Sequence, residues 1–175
     1  MTGPNTNKRQ ADHDLTSQFR RVASLDAGTR GRRFEEFFDG ILKRERLSPR
    51  RRYRPSGEEI DGSFVLSDRV YLIELKWEQK KLPASTLYEF RGKVEGKLEG
   101  TLGVLISMSG YSNDAIDALV RGKTTNIILF DQADVEAIVG GKTWFRDLLR
   151  RKLRVAAERG LPYKPFKTMQ DEEQT

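Results

Sequence analysis

The residues able to do chemistry gather in one stretch of the chain. Between Glu58 and Trp77 two apolar runs flank the polar pair Ser67-Asp68, and the second run, Tyr71 to Trp77, carries Glu74 and Lys76 two positions apart. A run so rich in β-branched and aromatic residues reads as a strand, and strand alternation sets both charges on one face. With Ser67-Asp68 as the loop of a β-hairpin, Asp61 falls directly opposite Glu74. Two carboxylates on Cα atoms about 4.5–5.5 Å apart repel unless a cation lies between them. Hard oxygen ligands of this kind, completed by water, suit Mg²⁺ better than zinc. Lys76 then stands beside the metal, facing a substrate. The pattern also fits a solvated sheet face on which Asp61 merely starts a turn with Gly62, and a longer loop would shift the register.

Little else in the chain offers a catalytic group. It contains no cysteine, which excludes disulfides, Cys-based zinc sites, iron–sulfur clusters and thiol nucleophiles. The only histidine is His13, in a polar segment, so a Ser-His-Asp arrangement is not expected. Chemistry must come from carboxylates, lysine, tyrosine or metal. The net charge of +6 suits a polyanionic partner, and also solubility or contact with a membrane surface.

The elements that must position these groups follow from periodicity. The 175 residues fit one domain over 17–160, between a flexible polar tail over 1–16 and a C-terminal arm over 161–175 with a disordered acidic end. Phe34, Phe37, Phe38, Ile41 and Leu42 recur at helical steps, and Glu35 lies beside that stripe, either turned toward the hairpin or a solvated first-turn glutamate. Ser85 caps a helix expected over Thr86 to Leu98, with Leu87, Phe90, Val94 and Leu98 on one side and Arg91, Lys93 and Lys97 on the other. Thr101 to Met108 reads as a central strand buried on both faces, followed by a helix from Asp114 to Arg121. Asn126 to Phe130 is a further strand, Asp131 to Val139 a helix ended by Gly140-Gly141, and Lys142 to Arg159 a basic amphipathic helix. The order helix, hairpin, helix, strand, helix, strand, helix implies an α/β architecture in which helices sandwich a mixed sheet.

Ahead of the hairpin lies a cationic run from Lys43 to Pro55 with two prolines, read as a loop or an irregular edge strand. Its Arg50, Arg51, Arg52 and Arg54 suit bidentate grip on phosphates, with Tyr53 stacking on a base or ribose; the bland alternative is a solvated charged face.

Phe34-Glu35 on an early helix, Asp61-Gly62, Glu74-Leu75-Lys76-Trp77, then Gly103-Val104-Leu105-Ile106-Ser107 and Ser109-Gly110-Tyr111 together resemble the PD-(D/E)xK nuclease superfamily. Within it the chain is most similar to Mrr-type (type IV) restriction endonucleases, over about Arg30 to Val139. The resemblance implies a restriction-endonuclease-like three-layer α/β/α fold with a mixed central sheet. It implies that Asp61 and Glu74 bind Mg²⁺, which Mn²⁺ replaces, that Lys76 orients or deprotonates the attacking water and steadies phosphoryl charge, and that Glu35 completes the site. Three departures stand out. Ile60 occupies the place of the family's proline, which is not a ligand. Glu74 stands where many Mrr-like members carry glutamine. Glu58 and Glu59 crowd the site and become ligands if the register slips.

The expected activity is metal-dependent hydrolysis of DNA phosphodiester bonds, in prokaryotic defence or repair. The other reading is a silent or partner-activated nucleic-acid-binding subunit of a larger complex, and RNA as substrate stays open. A double-strand cut needs two sites, so a homodimer or sequential nicking is implied, and a partner sensor or NTPase would supply the DNA-reading module that the sequence lacks. With no apolar run of about 18 residues and no apolar leader, the expected location is the cytoplasm.

Overall fold

The computed structural model of the chain describes residues 4–120 and 125–173. Two helices, α1 (Pro4–Ala23) and α2 (Ala27–Arg44), precede the strands β1 (Arg50–Tyr53), β2 (Ile60–Leu66) and β3 (Arg69–Lys76). Helix α3 (Ala84–Glu95) leads to β4 (Leu102–Ser107), and α4 (Asn113–Val120) to β5 (Ile127–Asp131). The chain then continues as α5 (Gln132–Val139), α6 (Phe145–Arg159) and α7 (Phe166–Glu173). The strands form one sheet in the order β1-β2-β3-β4-β5. The β1, β2 and β3 neighbours are antiparallel, whereas β3, β4 and β5 run parallel. The sheet is therefore mixed, as the order of elements implies.

Both faces of the sheet are covered, giving three layers. Phe34, Phe38, Phe64, Ile73, Phe130 and Phe145 are the centre of one core, built from α2, α5, α6 and α7 against the sheet. Leu72, Leu105 and Leu129 meet α3 and α4 through Leu87, Phe90 and Leu119 on the other face. Two parallel crossovers explain this layout, because α3 and α4 each return the chain to the start of the next strand.

The hairpin adopts the register read from the sequence. Leu66 pairs with Arg69, Phe64 with Tyr71 and Gly62 with Ile73. Ser67 and Asp68 both have positive φ, 50° and 60°, as a two-residue type I′ turn requires, and the Asp side chain tolerates that region. Regular pairing stops at Gly62. One step further, the Leu75 N–H donates to the Asp61 carboxylate at 3.0 Å rather than to a strand carbonyl. Asp61 is thus held at the point where β2 and β3 part, and it does not form a regular ladder pair with Glu74.

Four segments differ from the sequence expectation. The polar tail is helical from Pro4, and Leu15, Phe19 and Val22, at i, i+4 and i+7, pack on the aromatic core. Phe19 stacks 5.6 Å from Trp77; residues 1–3 of that tail lie outside those described. Helix α3 starts at Ala84 and stops at Gly96, so Leu98 lies beyond it and is 85% exposed, not part of the buried stripe. The arm carries α7, whose Phe166 and Met169 are buried, and only Gln174 and Thr175 of its acidic end lie outside the described residues. Helix α6 begins at Phe145, because the buried Glu45 carboxylate caps it, accepting from Phe145 N at 2.7 Å and Arg146 N at 2.8 Å. The end of the α4 prediction, Arg121, is outside the described residues. Among these residues no helix is long and apolar enough to cross a membrane.

Candidate functional site

Strand β3 sits where the antiparallel and parallel halves of the sheet meet, and its C-terminal end carries Glu74 and Lys76. Antiparallel β2 brings Asp61 beside that end, and α2, packed over the aromatic core, brings Glu35 from above. Gly62 makes the approach possible, since a Cβ there would lie 3.0 Å from the Arg50 carbonyl oxygen and 3.2 Å from Ile73. Glu35, Glu74, Lys76 and Trp77 line one open cleft of about 900 Å³. Trp77 forms its wall, wedged between Phe34 at 5.0 Å and the Arg30 guanidinium at 5.2 Å.

The acidic side chains are largely withdrawn from water. Side-chain exposure is 10% for Asp61 and 7% for Glu74. Burial pushes the Asp61 carboxyl above its ordinary value, and Glu74 adds to the rise, against the pull of the Leu75 N–H and Lys76. Glu35 is raised by burial and then by Asp61, while Arg52 opposes both. Burial alone would lower the Lys76 ammonium, but Glu74, with Asp61, overrides it and holds that group above its ordinary value. Lys76 is therefore a fixed positive charge, 3.0 Å from the Glu74 carboxylate. The other Glu74 oxygen takes Lys93 Nζ of α3 at 2.7 Å.

The cationic run does not present a row of free guanidinium groups. It forms the edge strand β1, with Arg50, Arg51 and Arg52 exposed. Arg50 lies 4.4 Å over the Tyr53 ring, and Arg51 reaches Asp39 of α2 at 2.8 Å. Arg54 pairs with Glu59 at 2.7 Å. Arg52 turns inward and bridges Glu35 at 2.5 Å, Glu59 at 2.6 Å and Asp61 at 3.7 Å. Glu58 is taken by Lys97 at 2.7 Å, so neither it nor Glu59 replaces Asp61 at the strand end.

The structure thus gathers Asp61, Glu74, Lys76 and Glu35 at one place, while Arg50, Arg51, Tyr53 and Arg54 flank it along the sheet edge. Sequence reasoning left Lys93 as part of a basic helix side facing water or ligand; its reach to Glu74 is the feature missed. Residue spacing along α3 carried a signal, since Lys93 lies one turn beyond the buried Phe90, but no local pattern names its partner. Among the described residues no three Asp, Glu, His or Cys side chains are arranged to hold a metal ion. The donor set is nonetheless of the right chemistry: desolvated carboxylates that destabilise one another and offer hard oxygen to a divalent cation.

Comparison with curated proteins finds no match. Among solved structures, a repair endonuclease from Pyrococcus abyssi is similar at 19% identity over 55% of this chain and 45% of its own, with a TM-score of 0.43. The DNA modification-dependent restriction endonuclease AspBHI is 17% identical over 83% of this chain and 39% of its own, with a TM-score of 0.46. The MspJI restriction endonuclease in complex with a 27-mer oligonucleotide is 13% identical over 97% of this chain and 40% of its own, with a TM-score of 0.40. The chain spans less than half the length of each of these three proteins. Residues 27–139, well over half of the chain, match the model of the Mrr_cat restriction endonuclease family, from α2 through the candidate site to the end of α5, and the chain belongs to that family.

Proposed function

We propose that the chain is a metal-dependent endonuclease that hydrolyses DNA phosphodiester bonds, serving prokaryotic defence or DNA repair. The observation that carries this reading is the convergence of three separate elements: Glu35, Glu74 and Lys76 line one cleft, and Asp61 lies next to it, close enough to perturb Glu35 and Lys76. Asp61 and Glu74 are the ligands we assign to Mg²⁺, with Mn²⁺ able to replace it, and Glu35 borders them. When bound, such an ion supplies a Lewis acid and lowers the pKa of a water. Lys76, held protonated by Glu74, acts as a point charge that steadies the scissile phosphate and orients the attacking water. The Leu75 N–H fixes one Asp61 oxygen, and Lys93 fixes one Glu74 oxygen, so both carboxylates are oriented before substrate arrives. Arg50, Arg51 and Arg54, with Tyr53, lie along the neighbouring sheet edge as contacts for the phosphate backbone.

A double-strand cut by a chain with one site requires a homodimer or two successive nicks, and recognition of a particular sequence would come from a partner sensor or NTPase. A second reading, a silent or partner-activated nucleic-acid-binding subunit, is favoured by the ion pairs of Arg52, Lys76 and Lys93, which neutralise the carboxylates without metal. The two are separated by incubating the protein and its Glu74→Ala variant with supercoiled plasmid in Mg²⁺, Mn²⁺ and EDTA. The nuclease reading expects metal-dependent nicking in the parent and a loss of at least about a hundredfold in the variant, the scale of removing a charge-stabilising group. Retarded but uncut plasmid under every metal would sink it in favour of the binding subunit.

A further inference from the structure

Arg52 stands in an unusual place for a nucleic-acid contact. In the β1–β2 ladder it lies between the pairs Arg51 with Gly62 and Tyr53 with Ile60, which sets it across from Asp61. Its guanidinium bridges carboxylates from three segments: Glu35 on α2, Glu59 before β2 and Asp61 on β2. The shortest of these contacts are a charge-assisted hydrogen bond to Glu35 at 2.5 Å and an ion pair with Glu59 at 2.6 Å, while Asp61 Oδ1 is only loosely held at 3.7 Å. Glu35 and Asp61 are mutually repulsive and poorly hydrated, so a chain free of metal needs a cation here. Lys93 binds Glu74 and Lys76 is shared between Glu74 and Asp61, so Arg52 is the cation in direct contact with Glu35.

Arg52 is also able to leave. Its side chain is 48% exposed and sits on the edge strand, with no further strand outside it. A planar guanidinium pairs with phosphate as readily as with carboxylate. Resting on the metal-site reading above, we propose that Arg52 is the resident counter-cation of the carboxylate cluster and competes there with the divalent ion. A backbone phosphate of a bound strand draws it outward, so metal loading and nucleic-acid binding are coupled. By linkage, the metal tightens DNA binding by the same factor as DNA tightens metal binding.

The experiment titrates Mn²⁺ calorimetrically into the parent, Arg52→Gln, Arg52→Lys, Arg54→Gln and Asp61→Asn proteins. Each titration is made with and without a short phosphorothioate duplex, which keeps the charge and resists hydrolysis. Arg52→Gln should bind Mn²⁺ more tightly on the order of tenfold, the scale of one unit charge removed a few ångströms away at partial exposure. The duplex should tighten Mn²⁺ binding in the parent and leave Arg52→Gln unchanged, while Arg52→Lys falls between them. Arg54→Gln loses the same formal charge and touches only Glu59, so it should stay close to the parent; an equal gain in both variants would reduce the effect to overall charge and overturn the proposal. Unchanged or weaker binding in Arg52→Gln, with binding abolished in Asp61→Asn, would overturn the role of Arg52 and leave the metal site standing. Mn²⁺ binding by none of these proteins, duplex present, would overturn the metal-site reading and this inference with it.

Discussion

Replacing Lys152 by methionine tests whether the far edge of the sheet is organised as the structure shows. Lys152 is 1% and Asp134 0% exposed, and their charged atoms lie 2.7 Å apart. The ammonium also donates to the Leu129 and Lys164 carbonyl oxygens at 3.1 and 2.6 Å, tying α6 to β5 and to the segment ahead of α7. Asp134 in turn accepts from the Asp131 and Phe166 N–H groups at 3.0 and 2.8 Å. Methionine conserves the apolar stem but strands a buried carboxylate, at a cost of about 4 kcal/mol, within the range for breaking one side of a buried pair. In a chain of this size that lowers Tm by about 8–16 °C. Lys152→Met with Asp134→Asn should recover much of the loss, because no charge is left unpaired. What remains is about 1–3 kcal/mol for each backbone group left without a partner, the Leu129 and Lys164 carbonyl oxygens among them. Burial already raises the Asp134 carboxyl above its ordinary value, and without Lys152 it rises further. The folded variant then binds that proton more tightly than the unfolded chain, so its deficit should shrink as pH falls through the folded pKa toward the ordinary 3.8. Urea denaturation of the four proteins at two pH values measures all of this. A single-variant cost under about 1 kcal/mol, or a double variant equal to the sum of the singles, would refute the account.

Two further outcomes bear on the scaffold of the site. Glu45 joins the end of α2 to the start of α6 by accepting two backbone N–H groups. Glu45→Ala leaves both unsatisfied and should cost about 2–4 kcal/mol, and Glu45→Gln about half of that, by thermal melting. Burial outweighs those two donors and holds the Glu45 carboxyl above its ordinary 4.5. The parent therefore loses stability as pH rises from 4.5 through the folded pKa, a component that Glu45→Gln lacks; parallel pH profiles would contradict it. At Gly103 a Cβ would lie 2.7 Å from Phe90 and Val94 and 2.8 Å from Ile127. Gly103→Ala should cost about 1–3 kcal/mol by overpacking and lift α3, with its Lys93, from the sheet. A variant as stable as the parent would show that α3 is less closely seated.

The hairpin was legible because its information is local. Two polar loop residues between apolar runs set the register, and the register carries Glu74 and Lys76 to a strand end with Asp61 alongside. Phe34 and its helical repeats likewise announced α2, and the unbroken apolar run from Leu102 announced a strand buried on both faces. Periodicities of this kind are properties of a single segment, so neighbours in sequence suffice to read them.

Other features were settled only when the segments met. Leu15, Phe19 and Val22 are too sparse to mark a helix within a polar tail, and it is the exposed aromatic surface of Phe37 and Trp77 that makes α1 dock. Phe166 and Met169 anchor α7 in the same way, in a stretch whose composition suggested an arm. The charged side chains depended most on the tertiary structure. Composition and spacing determined that the chain would bear a basic run, a pair of acidic strand residues and a lysine two positions after the second of them. Which cation meets which anion was decided by packing: that of α2, α3 and β1 around the end of β3 joined Arg52 to Glu35 and Lys93 to Glu74, and that of α5 and α6 beside β5 joined Lys152 to Asp134. Long flexible side chains choose partners by distance in space and by the water excluded around them, and neither quantity exists until the layers have closed.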